Sequence, residues 1–375
     1  MFCGQCGANN PPENRFCSSC GGQLTVIPGT PVAGGVAPQP IFESLAARLR
    51  TLANTEKLEG FSLKEMFSEV FRKRSEEEID EYFIAGTSRT TPAIDEVPTG
   101  WPKPWFFSRV LAFVAVIYFG FSYAMQQFNN SNLIPGMIMM GSLAVPLATV
   151  FLFFELNTPR NVSFHRVLML VCFGGLVSLI ISLVGFSAAQ LDWLGASAAG
   201  IVEETGKLLA VVLVVRGNRY RYILNGMLFG AAVGAGFAAF ESAGYALNAL
   251  LDNRSLDAMT ANIQLRAMLS PFGHVAWTAI TAGALWRARD GQPLKAQHFF
   301  DPRFVKAFCI PMVLHMIWNA PLPSPLYARH LALGVIGWFV VFGLVQQGLR
   351  QVRAEQRDVT ATKLTTIRSA MSQAS

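Results

Sequence analysis

The stretch ASAAGIVEETGKLLAVVLVV, residues 196–215, places two glutamates and a lysine inside an apolar run long enough to cross a membrane. A charged residue at the centre of a membrane helix costs roughly 2.5–3.5 kcal/mol on insertion scales, so such residues are paired or face a wet cavity. On a helix, Lys207 lies within reach of both Glu203 and Glu204. A purely structural ion cluster explains the lysine with one glutamate and leaves the second glutamate unexplained.

The composition of the whole chain is that of a membrane protein. Of its 375 residues, 52% are hydrophobic and 14% are charged, against roughly 25% charged in an average soluble domain. Most of its long apolar stretches reach the ~20 residues that a bilayer requires. The stretches are 108–126, 133–155, 165–185, 193–215, 222–250, 267–286, 304–321 and 327–349. The sequence therefore predicts an all-α polytopic membrane protein whose core, residues 105–350, holds about eight transmembrane helices.

Loop charges predict how this core is oriented. Lys and Arg are retained on the cytoplasmic side during insertion, and nearly all of them lie on one side if the N-terminus is inside. The other side then holds only Arg254, Arg266 and Arg329. We therefore expect a multi-pass protein of the cytoplasmic (inner) cell membrane with both termini, including a tail at 351–375, in the cytosol. This asymmetry accounts for the net charge of +6 without a nucleic-acid partner.

The N-terminus carries a separate signal in its cysteines. Cys3, Cys6, Cys17 and Cys20 form two C-x-x-C pairs, each followed by Gly. Thiolates at this spacing close a tetrahedral zinc site, and a reducing cytosol argues against disulfides. Four thiolates leave no open position for a substrate. We therefore predict a structural Zn²⁺ in a zinc ribbon over residues 1–24.

Two further segments separate the ribbon from the first apolar stretch. Residues 25–40 are rich in Pro and Gly and indicate a flexible linker. Residues 41–104 are charged and amphipathic; a small cytosolic helical module and a helix lying on the inner membrane face fit them equally well. The ribbon is a candidate binding site for a cytosolic protein partner.

Other apolar stretches supply polar side chains at the depth of the two glutamates. Glu241 stands among glycines and alanines in the fifth stretch, His274 in the sixth, and His315 with Asn319 in the seventh. At ~1.5 Å per residue, the carboxylates and imidazoles fall roughly 9–15 Å below the outer surface. Carboxylates and imidazoles in one layer are suited to general base catalysis, to activation of a water for peptide hydrolysis, or to metal binding.

The order of these motifs resembles the PrsW family of intramembrane proteases, which is distantly similar to the CAAX prenyl endopeptidase and bacteriocin self-immunity superfamily. The motifs are E-E-x-x-K at 203–207, F-x-x-x-E at 237–241, H-x-x-W at 274–277 and H-x-x-W-N at 315–319. The resemblance covers roughly residues 105–350. It implies a protease that cuts a membrane-anchored protein within the lipid bilayer, for example an anti-sigma factor.

The resemblance also implies which residues form the active site. The implied set is Glu203, Glu204, Glu241, His274 and His315, with Asn319 as a donor to the oxyanion or to a neighbouring catalytic group. Lys207, which is within reach of both adjacent glutamates, is a further candidate catalytic residue. The CAAX branch has His where Glu241 stands and Arg near the position of Lys207, so roles from that branch transfer poorly to these two positions.

Two mechanisms and two other functional classes remain open at the level of sequence. A carboxylate with two histidines can hold a catalytic Zn²⁺, whereas a metal-free site lets a glutamate activate the water. We prefer the metal-free version with Glu204 as base, although Glu203 satisfies the pattern as well. The alternatives to a protease are a proton-coupled transporter or channel that uses the Glu/Lys/His layer and a non-catalytic membrane receptor.

Overall fold

The structure is a computed structural model that describes residues 5–6, 8–11, 14–23, 41–56, 58–75, 78, 81–82, 84–215 and 219–373, and statements below refer to these residues. The expected linker at 25–40 lies outside them. The chain divides into two compact units, Met1–Leu45 and Ala46–Ser375. The described residues form helices and no β-strand, apart from one isolated bridge between Phe16 and Gln23.

The helices confirm the predicted all-α polytopic fold. They are α1 (Ile41–Ala53), α2 (Leu63–Met66), α3 (Phe106–Phe128), α4 (Ile134–Leu156), α5 (Phe164–Met169), α6 (Gly175–Ala189), α7 (Ala199–Val214), α8 (Ile223–Asn253), α9 (Leu256–Leu269), α10 (His274–Arg289), α11 (Pro302–Asn319) and α12 (Ala328–Gln373). A π-helical segment, Leu170–Gly174, joins α5 and α6 into one span. Short 3₁₀ segments connect several of the others.

Within the described residues, five spans are long and apolar enough to cross a membrane. They are Phe106–Phe128, Ser131–Leu156, Phe164–Ala189, Ile223–Asn253 and Pro325–Ile367. The other three expected stretches form α7, α10 and α11, which are 16, 16 and 18 residues long. At 1.5 Å per residue these helices measure about 24–27 Å, slightly less than the hydrocarbon thickness of a bilayer. The number of eight spans stays a prediction.

Helix α8 is the central element of the fold, and its small residues bring α10 close. A Cβ atom added at Gly230 would lie 2.1 Å from the carbonyl oxygen of Thr278, and one at Gly234 would lie 2.4 Å from that of His274. Small residues at such spacing let two membrane helices approach closely. This contact places His274, the first residue of α10, against α8.

The described residues between 46 and 104 belong to the same compact unit as the membrane helices. Phe61 lies against Trp101 and Phe342, with ring centroids 4.6 and 4.7 Å apart respectively. Because Phe342 belongs to α12, this aromatic cluster attaches the segment before α3 to the helical core. Helix α12 itself continues beyond residue 350 as far as Gln373, so the expected cytosolic tail is helical over its described part.

Glu155 fixes the start of the first span, a structural role that its position at the end of a stretch did not indicate. Its carboxylate accepts hydrogen bonds from the backbone N–H groups of Trp105, Phe106 and Phe107 at 2.7–2.9 Å, and from the hydroxyl of Tyr82 at 3.1 Å. The first N–H groups of a helix have no partner within the helix. Glu155, on α4, therefore supplies the N-terminal cap of α3.

We expect Glu155→Ala to lower the free energy of unfolding by about 2–3 kcal/mol, because it leaves buried backbone donors without an acceptor. The measurement is unfolding of the purified protein in mixed detergent micelles. Glu155→Gln keeps one acceptor oxygen and should show a clearly smaller loss. Equal losses in the two variants would contradict the capping role.

Candidate active site

The expected site residues converge where α7, α8, α10 and α11 meet. Glu203, Glu204 and Lys207 lie on α7, Glu241 on α8, His274 on α10 and His315 on α11. These residues are far apart in the sequence, and the structure joins them by direct contacts between side chains.

Lys207 is the centre of the site. Its ammonium is fully buried and donates to Glu204 Oε1 at 2.6 Å and lies 2.8 Å from His274 Nδ1. It also sits over the ring of Phe237, 4.5 Å from the ring centroid, in a cation–π contact. An ammonium has only donors, so His274 Nδ1 is the acceptor and the proton of that imidazole is on Nε2.

A chain of contacts continues from His274 through Glu241 to Arg266 on α9. His274 Nε2 lies 3.1 Å from Glu241 Oε2, which also accepts from Arg266 Nη2 at 2.5 Å. Arg266 Nε donates to Ser242 Oγ at 2.8 Å, and the guanidinium stacks over Tyr245 at 4.3 Å. Arg266 was expected only as a loop charge. Its one signal in the sequence is that it is among the few cationic residues on the side that the loop charges predict to be outer.

A second set of contacts, between Glu204 and His315, fixes the orientation of the His315 imidazole. Glu204 Oε1 lies 2.9 Å from His315 Nδ1, and Glu204 has no exposed surface. A carboxylate that accepts from Nδ1–H leaves a lone pair on His315 Nε2. That Nε2 lies 3.8 Å from Glu203 Oε2. Two acceptors therefore face each other across a short gap.

Glu203 is the carboxylate of the adjacent pair that reaches a cavity. Its Oε2 has no hydrogen-bond partner among the described residues, and its side chain lines a cavity of about 600 Å³ whose wall does not include Glu204. The polar and aromatic wall of this cavity is formed by Phe186, Glu203, Glu241, Ser242, Tyr245, Asn262, Arg266, Ser270, His274, Trp277, His315, Trp318, Asn319, Tyr327 and His330.

Asn319 and His330 extend the polar wall. Asn319 Nδ2 makes a long contact of 3.4 Å with the carbonyl oxygen of Ala196, so the amide is weakly held. His330, at the start of α12, packs edge-on against Trp318 with ring centroids 4.5 Å apart. No signal in the sequence joined His330 to the site, because it stands at the boundary of the last stretch.

The residues present fit a divalent metal in their donor set. Glu203, His274 and His315 each offer one ligand atom, and these atoms lie within 4.8 Å of one another. A carboxylate with two imidazoles is a known zinc donor set for catalytic sites, and a second carboxylate on Nδ1, as Glu204 is on His315, is a common support for such a ligand. His274 has both nitrogens engaged, so ligation by His274 requires that its bond to Lys207 or to Glu241 breaks.

The N-terminal cysteines form a second candidate metal site, within the first compact unit. Cys3 lies outside the described residues, and the sulfurs of Cys6, Cys17 and Cys20 lie within 4.8 Å of one another. The Cys6 and Cys17 sulfurs are 3.6 Å apart, close to the about 3.8 Å that two thiolates around a tetrahedral zinc have at a Zn–S distance of about 2.3 Å.

The turn around Cys17 favours its thiolate. Backbone N–H groups of Ser19 and Cys20, together with the amide of Asn10, lower the pKa of the Cys17 thiol to about 6. The Asn10 amide nitrogen lies 3.3 Å from the Cys17 sulfur. The thiolate is the form that binds metals, so this local structure suits the expected zinc ribbon.

Comparison with protein families supports the assignment of the core. Residues 162–345 match the family model of the PrsW family intramembrane metalloproteases. This segment includes Glu203, Glu241, His274 and His315, and the match indicates an intramembrane peptidase. No curated protein and no solved structure matches the chain significantly. The cysteine cluster lies outside the matched segment.

Proposed function

We propose that this chain, an intramembrane peptidase by the family match of residues 162–345, cleaves a membrane-anchored regulatory protein with Glu203 as the general base. The observation that carries the proposal is the gap between Glu203 Oε2 and His315 Nε2. These two acceptors stand 3.8 Å apart, and the Glu203 oxygen lacks a hydrogen-bond partner among the described residues. A water that enters from the cavity and sits beside both atoms, about 2.8 Å from each, can direct one hydrogen to each acceptor.

The proton movements follow from this arrangement. Glu203 takes a proton from the water as its oxygen attacks the scissile carbonyl carbon, and the carboxylic acid then gives that proton to the departing amine. The amide of Asn319, which lines the cavity, donates to the oxyanion in this proposal. Lys207 and Glu204 hold His274 and His315 in fixed tautomers. If Glu203, His274 and His315 held a zinc ion, that ion would supply Lewis-acid polarisation and a more acidic water, and Glu203 would then be a ligand rather than the free base.

The geometry favours Glu203 over our sequence-based preference for Glu204. Glu204 is saturated on Oε1 by Lys207 and His315 and does not line the cavity. It acts instead as the group that orients both neighbours. Neither a transporter nor a non-catalytic receptor accounts for the family match. We also propose that the chain lies in a cytoplasmic membrane with both termini in the cytosol.

The test of this function is a comparison of membrane proteomes from cells that carry the wild-type chain or Glu203→Gln. We expect at least one single-span protein to be shortened within or next to its membrane segment only in wild-type cells. The shortened protein is then supplied to the purified enzyme in proteoliposomes. Identical fragment patterns in the two cell types, at equal amounts of inserted protein, would contradict the proposal.

Arg266 should position Glu241 for this reaction. We expect Arg266→Gln to lower kcat about tenfold with little change in KM, because Glu241 loses its charge-assisted partner and holds His274 less firmly. Arg266→Lys keeps a charge near Glu241 and should recover part of the rate. The matched control is Arg254→Gln, a cation on the same side that does not line the cavity. Equal effects of Arg254→Gln and Arg266→Gln would contradict the positioning role.

We also propose that residues 1–24 hold one structural zinc and present a surface to a cytosolic partner. Metal analysis of the purified full-length protein should find zinc that Cys17→Ser or deletion of residues 1–30 removes. Zinc that survives the deletion and disappears with His315→Ala belongs to the catalytic layer instead. If Cys17→Ser leaves the zinc content unchanged, the ribbon assignment is wrong.

A further inference from the structure

A second cavity, of about 620 Å³, lies at the end of α8 opposite to the candidate active site. Tyr222, which precedes α8, lines it, and Glu241 follows 19 residues later. At 1.5 Å per residue these positions are about 28 Å apart along the helix. The cavity is bounded by residues 86–97, by the connection between α4 and α5, and by Arg219 and Arg221 before α8. It is therefore distinct from the peptidase site.

The charges of this cavity are all of one sign. Arg219 and Arg221 are its only ionisable side chains other than Tyr222, and none of its described lining residues is a carboxylate. The other polar side chains of the wall are neutral, and they are Thr87, Ser88, Thr91, Asn161 and Ser163. A concave wall of guanidinium and hydroxyl groups without a carboxylate matches the donors that phosphate requires.

Both guanidinium groups are held in place and keep donors to spare. Arg219 Nη2 donates to the carbonyl oxygen of Gly86 at 2.7 Å, and Arg221 pairs with Glu355 of α12. A guanidinium has five N–H donors, and these contacts occupy only part of each set. Glu355 does not line the cavity, so it competes with any anion for Arg221 from outside.

The cavity lies where helices end. Leu156 ends α4, Phe164 begins α5, Val214 ends α7 and Ile223 begins α8, so its wall sits at the boundary between the apolar spans and water. Basic pockets between membrane helices at this depth bind the head groups of anionic lipids. We propose that this cavity binds a phosphate group, carried either by an anionic phospholipid head group or by free inorganic phosphate.

The experiment titrates the purified full-length protein, in neutral detergent, with short-chain phosphatidylglycerol, with inorganic phosphate and with phosphatidylcholine as the zwitterionic control. Binding is followed by thermophoresis. We expect Arg219→Gln and Arg221→Gln each to weaken anion binding about tenfold, since each removes charge-assisted hydrogen bonds. Arg89→Gln removes a nearby cation that does not line the cavity and should leave binding unchanged.

Glu355→Gln distinguishes an anion site from a structural ion pair. If the cavity binds phosphate, this variant frees Arg221 and should tighten anion binding, in the direction opposite to Arg221→Gln. If Arg221 and Glu355 serve only to hold α12, both variants change binding in the same direction, and the proposal is overturned.

The two sources of the anion give different patterns. Tight binding of phosphatidylglycerol, with weak binding of inorganic phosphate, supports a lipid site. Comparable binding of both, with the same dependence on Arg219 and Arg221, supports a site for free phosphate. Binding of phosphatidylcholine as tight as that of phosphatidylglycerol, or no difference between wild type and Arg219→Gln, overturns the proposal. Because peptidase activity is not the readout, failure here leaves the proposed catalytic function untouched.

Discussion

Glu203→Gln is expected to lower the rate of peptide cleavage by about 10²–10⁴-fold, the usual contribution of a general base, and to leave the free energy of unfolding unchanged or higher. The two parts have one cause. Glu203 Oε2 is buried, makes no hydrogen bond to a described residue and lies 3.9 Å from Lys207 Nζ, so its charge stabilises the fold less than that of Glu204, which lies 2.6 Å from the same ammonium. An amide of the same shape removes the base and also removes the cost of burying a carboxylate.

A glutamate with a structural role should lose stability as well as activity when it is replaced. Glu204→Gln is the matched control that should show this result. Glu204 accepts from Lys207 and faces His315 Nδ1. Its replacement should lower stability as well as activity, because a buried ammonium loses its nearest counter-charge. Single-turnover cleavage in proteoliposomes and unfolding in mixed micelles measure the two quantities. Unchanged cleavage by Glu203→Gln would remove Glu203 from the reaction, and equal stability losses in both variants would indicate a plain ion cluster.

The layer of polar residues was predictable from sequence because a charged residue inside a membrane span needs a partner or a polar cavity. In a soluble protein Glu203 and Lys207 would be ordinary surface residues, whereas inside an apolar run each needs a partner. Helical rise alone then placed Glu241, His274 and His315 at a similar depth. The contacts among these side chains agree with that expectation. Their roles in catalysis remain proposals.

What the sequence could not supply is the rotation of each helix about its own axis. Glu203 and Glu204 are adjacent, so they differ by about 100° around α7, and only packing decides that Glu203 faces the cavity while Glu204 is enclosed. Arg266 and His330 were missed for a related reason. Both stand near helix ends, where a polar residue needs no special explanation, and they reach the cavity only because α9 and α12 fold over it.

The structural role of Glu155 was also not predictable from the sequence. A carboxylate at the end of a span looks like an interfacial residue, and nothing local in the sequence joins it to residues 105–107. Its four contacts arise because α3 and α4 run side by side, which brings the end of one helix to the start of the other. A contact between residues about 50 positions apart depends on helix pairing, which the periodicity of one helix does not encode.

Lys207→Met is expected to have the largest effect on stability, a loss of about 3–5 kcal/mol. Lys207 and Glu204 have no exposed surface, and Lys207 is the nearest cation to the Glu204 carboxylate, at 2.6 Å. Methionine replaces the aliphatic part of the lysine and leaves a buried carboxylate with only His315 beside it. His274 Nδ1 also loses its donor, at 2.8 Å, so cleavage should fall as well.

A second substitution separates these two consequences. Lys207→Met combined with Glu204→Gln removes both charges of the closest ion pair, and we expect it to regain part of the lost stability, since a neutral pair replaces a broken one. Recovery is incomplete because Glu203, 3.9 Å from Lys207, still loses its cation. Cleavage should stay low, because neither His274 nor His315 is then held in its tautomer by a charged neighbour. Unfolding in mixed micelles and cleavage of a supplied substrate are measured for both single variants and the double variant. Additive stability losses would show that the two side chains are not coupled. Recovery of cleavage together with stability would show that the Lys207–Glu204 pair only supports the fold, and that Glu203 works without the tautomers this pair imposes.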